Sequence, residues 1–138
     1  MRNLFQFRFM PTSADLALLL LRVTSGALLI YLHGWGKLAT YGERAARFAD
    51  PFGIGSPASL ALAIFAEVVC ATLVALGLFT RFAALVCAIN MTVAFTYAHE
   101  MRLWGPRNGE LAFMYLVVFA AIFLAGPGRF SMDGRTGK

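Results

Sequence analysis

Four apolar stretches, Ala14 to His33, Pro57 to Phe79, Phe82 to His99 and Glu110 to Ala125, occupy more than half of this 138-residue chain. A hydrocarbon core about 30 Å thick takes about 20 residues of helix to cross. The stretches predict an all-α integral membrane protein, a four-helix bundle forming one domain over residues 1–138, with the fourth span the shortest. Composition agrees: 59% of residues are hydrophobic, 14% are charged and the mean hydropathy is +0.70, whereas soluble domains carry roughly 25% charged residues.

The punctuation is helical. Thr12, Ser13 and Asp15 precede the first span, Ser56-Pro57 opens the second, and Asn108-Gly109 stands before Glu110; small polar caps followed by proline in the first turn are helix starts. Gly77 and Thr80-Arg81 leave only a tight turn between spans two and three, which predicts an antiparallel hairpin, and Gly126-Pro127-Gly128 ends the fourth span. Arg2 and Arg8 ahead of "LALLLL" resemble a cleaved signal peptide, but Arg22 interrupts that run too early, so a retained span is expected. The opening "NLFQFRFM" alternates Phe5, Phe7 and Phe9 with Gln6 and Arg8, a pattern that suits either a segment lying on the membrane surface or a disordered tail.

An even number of spans puts both termini on one side. Arg2, Arg8, Arg81, Arg129, Arg135 and Lys138 then face Lys37, Arg44, Arg47, Arg102 and Arg107, which favours cytoplasmic termini and a non-cytoplasmic loop over residues 34–56. The net charge of +5 is spread over both ends, suits anionic headgroups of a lipid bilayer, and offers no basic stripe for nucleic acid.

Polar residues inside the spans carry the functional reading. Arg22, Glu67 and Asn90 lie near the middles of spans one, two and three. A charge left unpaired at such a depth costs about 2.5–3.5 kcal/mol on insertion scales, so it faces the bundle interior. Counting residues from one side puts the three within about one helical turn in depth, and small neighbours such as Gly26, Ala63, Cys70 and Ala94 leave room for them. Either Arg22 and Glu67 form a structural ion pair with Asn90 bonded to it, or the three line a polar cavity for a ligand, proton or oxyanion.

His33 follows Arg22 by eleven residues, and Lys37 continues the same helical face if the helix persists through Gly34 and Gly36. Spans three and four bring His99 and Glu110 to that outer end, with Glu100 and Asn108 beside them. Tyr31, Trp35, Tyr97 and Trp104 ring the same boundary as an aromatic belt. Lys37 alone would snorkel to phosphate; together with histidines near acids it predicts proton exchange beside a bound anion or quinone carbonyl. His33 and Glu110 are the expected catalytic residues, and Arg22, Lys37, Glu67, Asn90 and His99 the expected substrate contacts. No metal, haem or nucleotide motif is present. Cys70 and Cys87 both fall within spans, where free cysteine acts as a small hydrophobe unless the two faces meet as a disulfide.

"LLLLRVTSGALLIYLHGWGKL" resembles the opening helix of the DoxX family, with its leucine run, Arg, Gly and H-G-x-x-K-L. "FAEVVCATLVALGLFTRFAALVCAINM" is similar to that family's second and third helices, and "NGELAFMYLVVFAAIFLAGPGRFSMD" to its last helix and tail. The likeness runs from about Leu18 to Asp133. It implies a small inner-membrane protein related to the membrane subunits of thiosulfate:quinone oxidoreductase, with redox-complex subunits as partners and a quinone or sulfur-oxyanion site that includes His33, Lys37 and Glu110. Two other readings stay open: a non-catalytic partner or assembly protein recognised through the loop Tyr41 to Ser56, and a small transporter gated by Arg22 and Glu67, which would need a homo-oligomer to build a pathway. In that loop "ERAARFAD" predicts a short amphipathic helix and "PFGIGSPAS" a turn-rich return to the membrane.

Overall fold

The computed structural model describes residues 13–136. Arg2, Arg8, the alternating Phe5, Phe7 and Phe9, Thr12 and Lys138 lie outside the described residues. Among those described, all regular structure is helical: α1 (Ala14–Ala39), α2 (Tyr41–Arg44), α3 (Ser56–Leu76), α4 (Thr80–Ala98), α5 (Glu110–Ala125) and α6 (Met132–Arg135). With 26, 21 and 19 residues, α1, α3 and α4 are long and apolar enough to cross a membrane. The 16 residues of α5 span about 24 Å.

The first span is longer than the sequence suggests. The helix runs on through His33, Gly34 and Gly36 to Ala39 because a π turn over Ile30–Gly34 absorbs the change of register. At its start the Ser13 hydroxyl accepts the Leu16 N–H at 3.1 Å, one of the donors a helix start leaves unpaired. In the loop between α1 and α3 only Tyr41–Arg44 is helical. The expected helix over "ERAARFAD" does not extend further, because Asp50 folds back to accept N–H groups from Ile54 and Gly55.

Packing is inverted relative to a soluble bundle. Ala66, Ala71, Ala83, Ala84, Cys70 and Cys87 are buried, while Leu20, Leu62, Ile89 and Leu124 point outward. Small residues between helices let backbones approach closely, and the large ones face lipid. Gly26 is one such close approach: a Cβ there would stand 2.7 Å from the Ala71 carbonyl oxygen and 2.9 Å from Ala75 Cβ. Both cysteines are free, and the Cys87 thiol donates to the Ala66 carbonyl at 3.3 Å.

The α3–α4 hairpin forms as expected, and a distant segment completes it. Gly77 ends α3 at φ 73° and Phe79 enters α4 at φ 47°, with no cap from its own side chain. Asp133 supplies one from the C-terminal tail: its carboxylate accepts the Phe79 N–H at 3.0 Å, the Thr80 N–H at 2.9 Å and the Thr80 hydroxyl at 2.7 Å. Burial works to raise the Asp133 carboxyl, but the bonds from Thr80 and Phe79 and the positive Arg22 outweigh it and hold it below the ordinary carboxylate value. A carboxyl depressed in the folded state stabilises fully above its unfolded pKa, about 3.9, and that contribution disappears as pH falls through the lowered folded value. Asp133→Ala is therefore expected to cost about 1–2 kcal/mol at pH 7. The difference from wild type should shrink on acidification below pH about 4, as read by denaturant titration in detergent at a series of pH values.

Candidate functional site

Glu67 is the centre of the polar cluster. It sits within a second π turn, Phe65–Cys70, halfway along α3, and its side chain is 5% exposed. Both carboxylate oxygens are held: Lys37 Nζ reaches Oε2 at 2.5 Å and Asn90 Nδ2 donates to Oε1 at 3.1 Å. Lys37, 19% exposed, therefore turns inward to a carboxylate instead of outward to phosphate. Gly34 makes this crossing close enough, since a Cβ there would stand 2.8 Å from the Glu67 carbonyl oxygen and 2.7 Å from Val68 Cγ2.

The expected pairing of Arg22 with Glu67 is not made. Arg22 is fully buried, but its Nη1 donates to the carbonyls of Val74 and Ala75 at 3.3 and 3.5 Å, and its Nη2 to that of Phe130 at 2.8 Å. The cause is stagger. Gly34 lies level with Glu67 and Gly26 with Ala71 and Ala75, so Arg22 faces the C-terminal end of α3, about two helical turns from Glu67. Counting from aligned helix ends misplaces it because α1 continues past that end of α3.

A cavity of about 600 Å³ opens beside the cluster. His33, Lys37, Glu67, Asn90 and His99 all line it, so five of the seven residues expected from sequence come together. Its remaining walls are mostly apolar, from Leu29, Ala63, Ala66, Met91 and Ala112 among others. Two nitrogens at this site, His33 Nε2 and His99 Nδ1, are buried with no hydrogen-bond partner among the described residues. The His33 ring meets Tyr115 edge-on at 5.8 Å, and Tyr115 stacks on Phe119 at 6.1 Å.

Glu110 does not join them. Buried α5 residues are Ala112, Tyr115, Phe119 and Ile122; Glu110, two residues before Ala112, points about 200° away around the helix and is exposed. Tyr115, which sequence reasoning passes over, takes that place at the cavity wall. Its signal was a tyrosine well inside an apolar span rather than at its boundary.

Over the end of the cavity nearest the loop between α1 and α3, Phe48, Pro51 and Phe52 reach it from that loop. Asp50 fixes that loop: it accepts the Gly55 N–H at 2.8 Å, the Ser59 hydroxyl at 2.8 Å and the Ile54 N–H at 3.0 Å. Led by the Gly55 and Ser59 bonds, these hold the Asp50 carboxyl below its ordinary value. At the neighbouring corner Glu100 pairs with Arg102 and Arg107, while Gly109 packs against His99, where a Cβ would stand 2.7 Å from that of the histidine.

Comparison with known proteins places this geometry. The chain is similar to an uncharacterized protein of Haemophilus influenzae, 29% identical over 114 residues that cover 79% of this chain and 83% of the relative. No solved structure matches it. The DoxX family profile matches residues 17–100, which takes in α1, α3 and α4 with His33, Lys37, Glu67, Asn90 and His99, and leaves α5 and the tail outside the matched span. On that match, more than half its length, the chain belongs to the DoxX family.

Proposed function

We propose that this chain is the membrane subunit of a redox complex and that its cavity binds a quinone. The observation that carries the reading is the division of the cavity: apolar walls surround a space of about 600 Å³, and the ion pair, an amide and two unpartnered imidazole nitrogens gather at it. A pocket with an apolar body and a few convergent polar groups suits a small amphipathic molecule. A sulfur oxyanion, compact and doubly charged, gains nothing from the apolar walls and meets a carboxylate, so the quinone is the better match.

Reduction of a quinone to a quinol takes two electrons and two protons; here the electrons come from the redox centre of a partner subunit. The residues of this chain bind and protonate. Lys37 donates a hydrogen bond to one quinone oxygen while Glu67 orients it, and the two protons pass one to each oxygen, from His33 at Nε2 on this side and from His99 at Nδ1, beside Asn90, on the far side of the head. Tyr115 keeps the His33 ring upright. Arg22 and Glu110 take no part at the cavity: Arg22 fastens the tail, and Glu110 favours the N-terminus of α5.

Topology follows the same reading. We place α5 as a fourth, short crossing of a four-helix bundle in the inner membrane, with both termini cytoplasmic. Because Lys37 is drawn inward by Glu67, the outer loops keep Arg44, Arg47, Arg102 and Arg107 against Arg81, Arg129, Arg135, Arg2, Arg8 and Lys138 on the inner side, which strengthens the orientation.

Thermal unfolding of the purified protein in mild detergent tests the reading. A short-chain quinone at about 100 times its Kd stabilises by about 2.7 kcal/mol, a rise of about 5–10 °C in Tm. The rise should depend on quinone concentration and be lost in His33→Ala. An unchanged Tm in wild type at saturating quinone would overturn the proposal.

A further inference from the structure

Access to the cavity lies between helices. α3 and α4 pack on each other through the inner part of the hairpin, along Phe65–Leu76 and Thr80–Val93, whereas the outer segments Ser56–Ile64 and Ala94–Ala98 do not pack together in that way. Among the residues that line the cavity there, Ala63 and Ala94 are small. The rim of this gap carries Leu62 and, where the gap meets the packed part of the hairpin, Ile89, both 54% exposed.

Depth decides which phase this opening meets. At 1.5 Å per residue, Leu62 lies about 9 Å and Ile89 about 14 Å inside the outer ends of their helices, at the level of acyl chains rather than headgroups. Toward water the cavity is roofed by Phe48, Pro51 and Phe52, in a loop tied down by Asp50. Interiors are ordinarily packed without such voids. The void leads from a polar wall to lipid.

We infer that the gap between the outer halves of α3 and α4 is a lateral gate for an isoprenoid-tailed quinone drawn from the bilayer. Its head rests against Lys37, Glu67 and His33, and its single tail leaves between Leu62 and Ile89. The inference rests on the quinone reading above and adds the tail, its path and the phase that supplies it. A phospholipid matches less well, since it brings two chains to one gap and an anionic head to a wall that already holds the Glu67 carboxylate.

The test uses the full chain in nanodiscs of saturated phosphatidylcholine, titrated with a tailed quinone dissolved in the bilayer and, separately, with the same head lacking a tail. Melting temperature is read in wild type, Leu62→Trp and Ile89→Trp; both positions face lipid, so the indoles add bulk at the gate without entering the core. Each variant is expected to need about tenfold more tailed quinone for the half-maximal shift, a loss of the size that one blocked apolar contact produces, with the tail-less head changed less than about twofold. Equal responses of wild type and variants to the tailed quinone would overturn the gate, as would equal weakening of both ligands, and each leaves the head site standing. A wild-type protein that responds to neither quinone overturns the quinone reading itself. A shift that follows added phosphatidylglycerol instead assigns the gap to phospholipid and overturns the proposal.

Discussion

Lys37→Met is expected to lower the unfolding free energy by about 3–5 kcal/mol, the cost of stranding one partner of a buried ion pair. The two partners are not equivalent. Lys37 stands two residues from the end of α1 at Ala39, so when Glu67 is removed its long side chain can turn outward to phosphate. Glu67 has no such exit: it lies midway along α3, 5% exposed, with only the Asn90 amide remaining as a donor. Glu67→Gln is accordingly expected to cost less, about 1–2 kcal/mol. The double change Lys37→Met with Glu67→Leu should recover most of the loss, because a buried pair replaced by apolar residues of similar volume is often neutral or better. Unfolding in mixed micelles, arranged as a double-mutant cycle, reads the coupling. Additive single changes of less than about 1 kcal/mol each would mean that Lys37 and Glu67 act independently and that the short contact between them does not hold the site.

How much of this was legible in the sequence depends on the range over which each feature is decided. Helix identity is local: the apolar runs, Ser13, Pro57 and Gly77 mark α1, α3 and the hairpin before any contact is known. The gathering of five residues was legible in part: counting puts Glu67 and Asn90 with Arg22 at mid-span and His33, Lys37 and His99 with Glu110 at one end, whereas His33, Lys37, Glu67, Asn90 and His99 all line one cavity. What counting could not supply was the stagger of α1 against α3. That offset is set by where Gly26 and Gly34 admit the backbone of α3, and it moves Arg22 away from Glu67 by about two turns. The π turns at Ile30–Gly34, Phe65–Cys70 and Ala94–Ala98 were equally hidden. Each adds a residue to a turn without leaving a sequence mark, and each lies where a cavity residue is presented. Glu110 was misplaced for a related reason: its rotation about α5 depends on which face packs against α4.

Gly77→Ala is expected to cost about 3–5 kcal/mol, and the reason is long-range. Gly77 holds φ 73°, where an L side chain alone costs about 1–2 kcal/mol. A Cβ there would also run into the Arg22 guanidinium and the Cβ of Ser131. Arg22 cannot move without loosening its bonds to the Val74, Ala75 and Phe130 carbonyls, and hydrogen bonds from a charged donor are worth about 1.5–3 kcal/mol. The tail is fastened at three further points close by: Asp133 N–H to the Gly77 carbonyl at 2.9 Å, the Asp133 carboxylate on α4, and Arg129 N–H to the Asp15 carboxylate at 2.9 Å. Displacing Arg22 should therefore release residues 126–136 as a unit. Trypsin reads this directly, because Arg129 and Arg135 lie in that segment and cleavage there requires a free backbone. Faster cleavage at both sites is expected in Gly77→Ala and in Arg22→Met. Gly36→Ala, where an added Cβ meets nothing within 4 Å, should leave cleavage unchanged and stability within about 0.5 kcal/mol of wild type. Gly77→Ala behaving like Gly36→Ala would show that the buried arginine and the tail are independent of the α3–α4 turn.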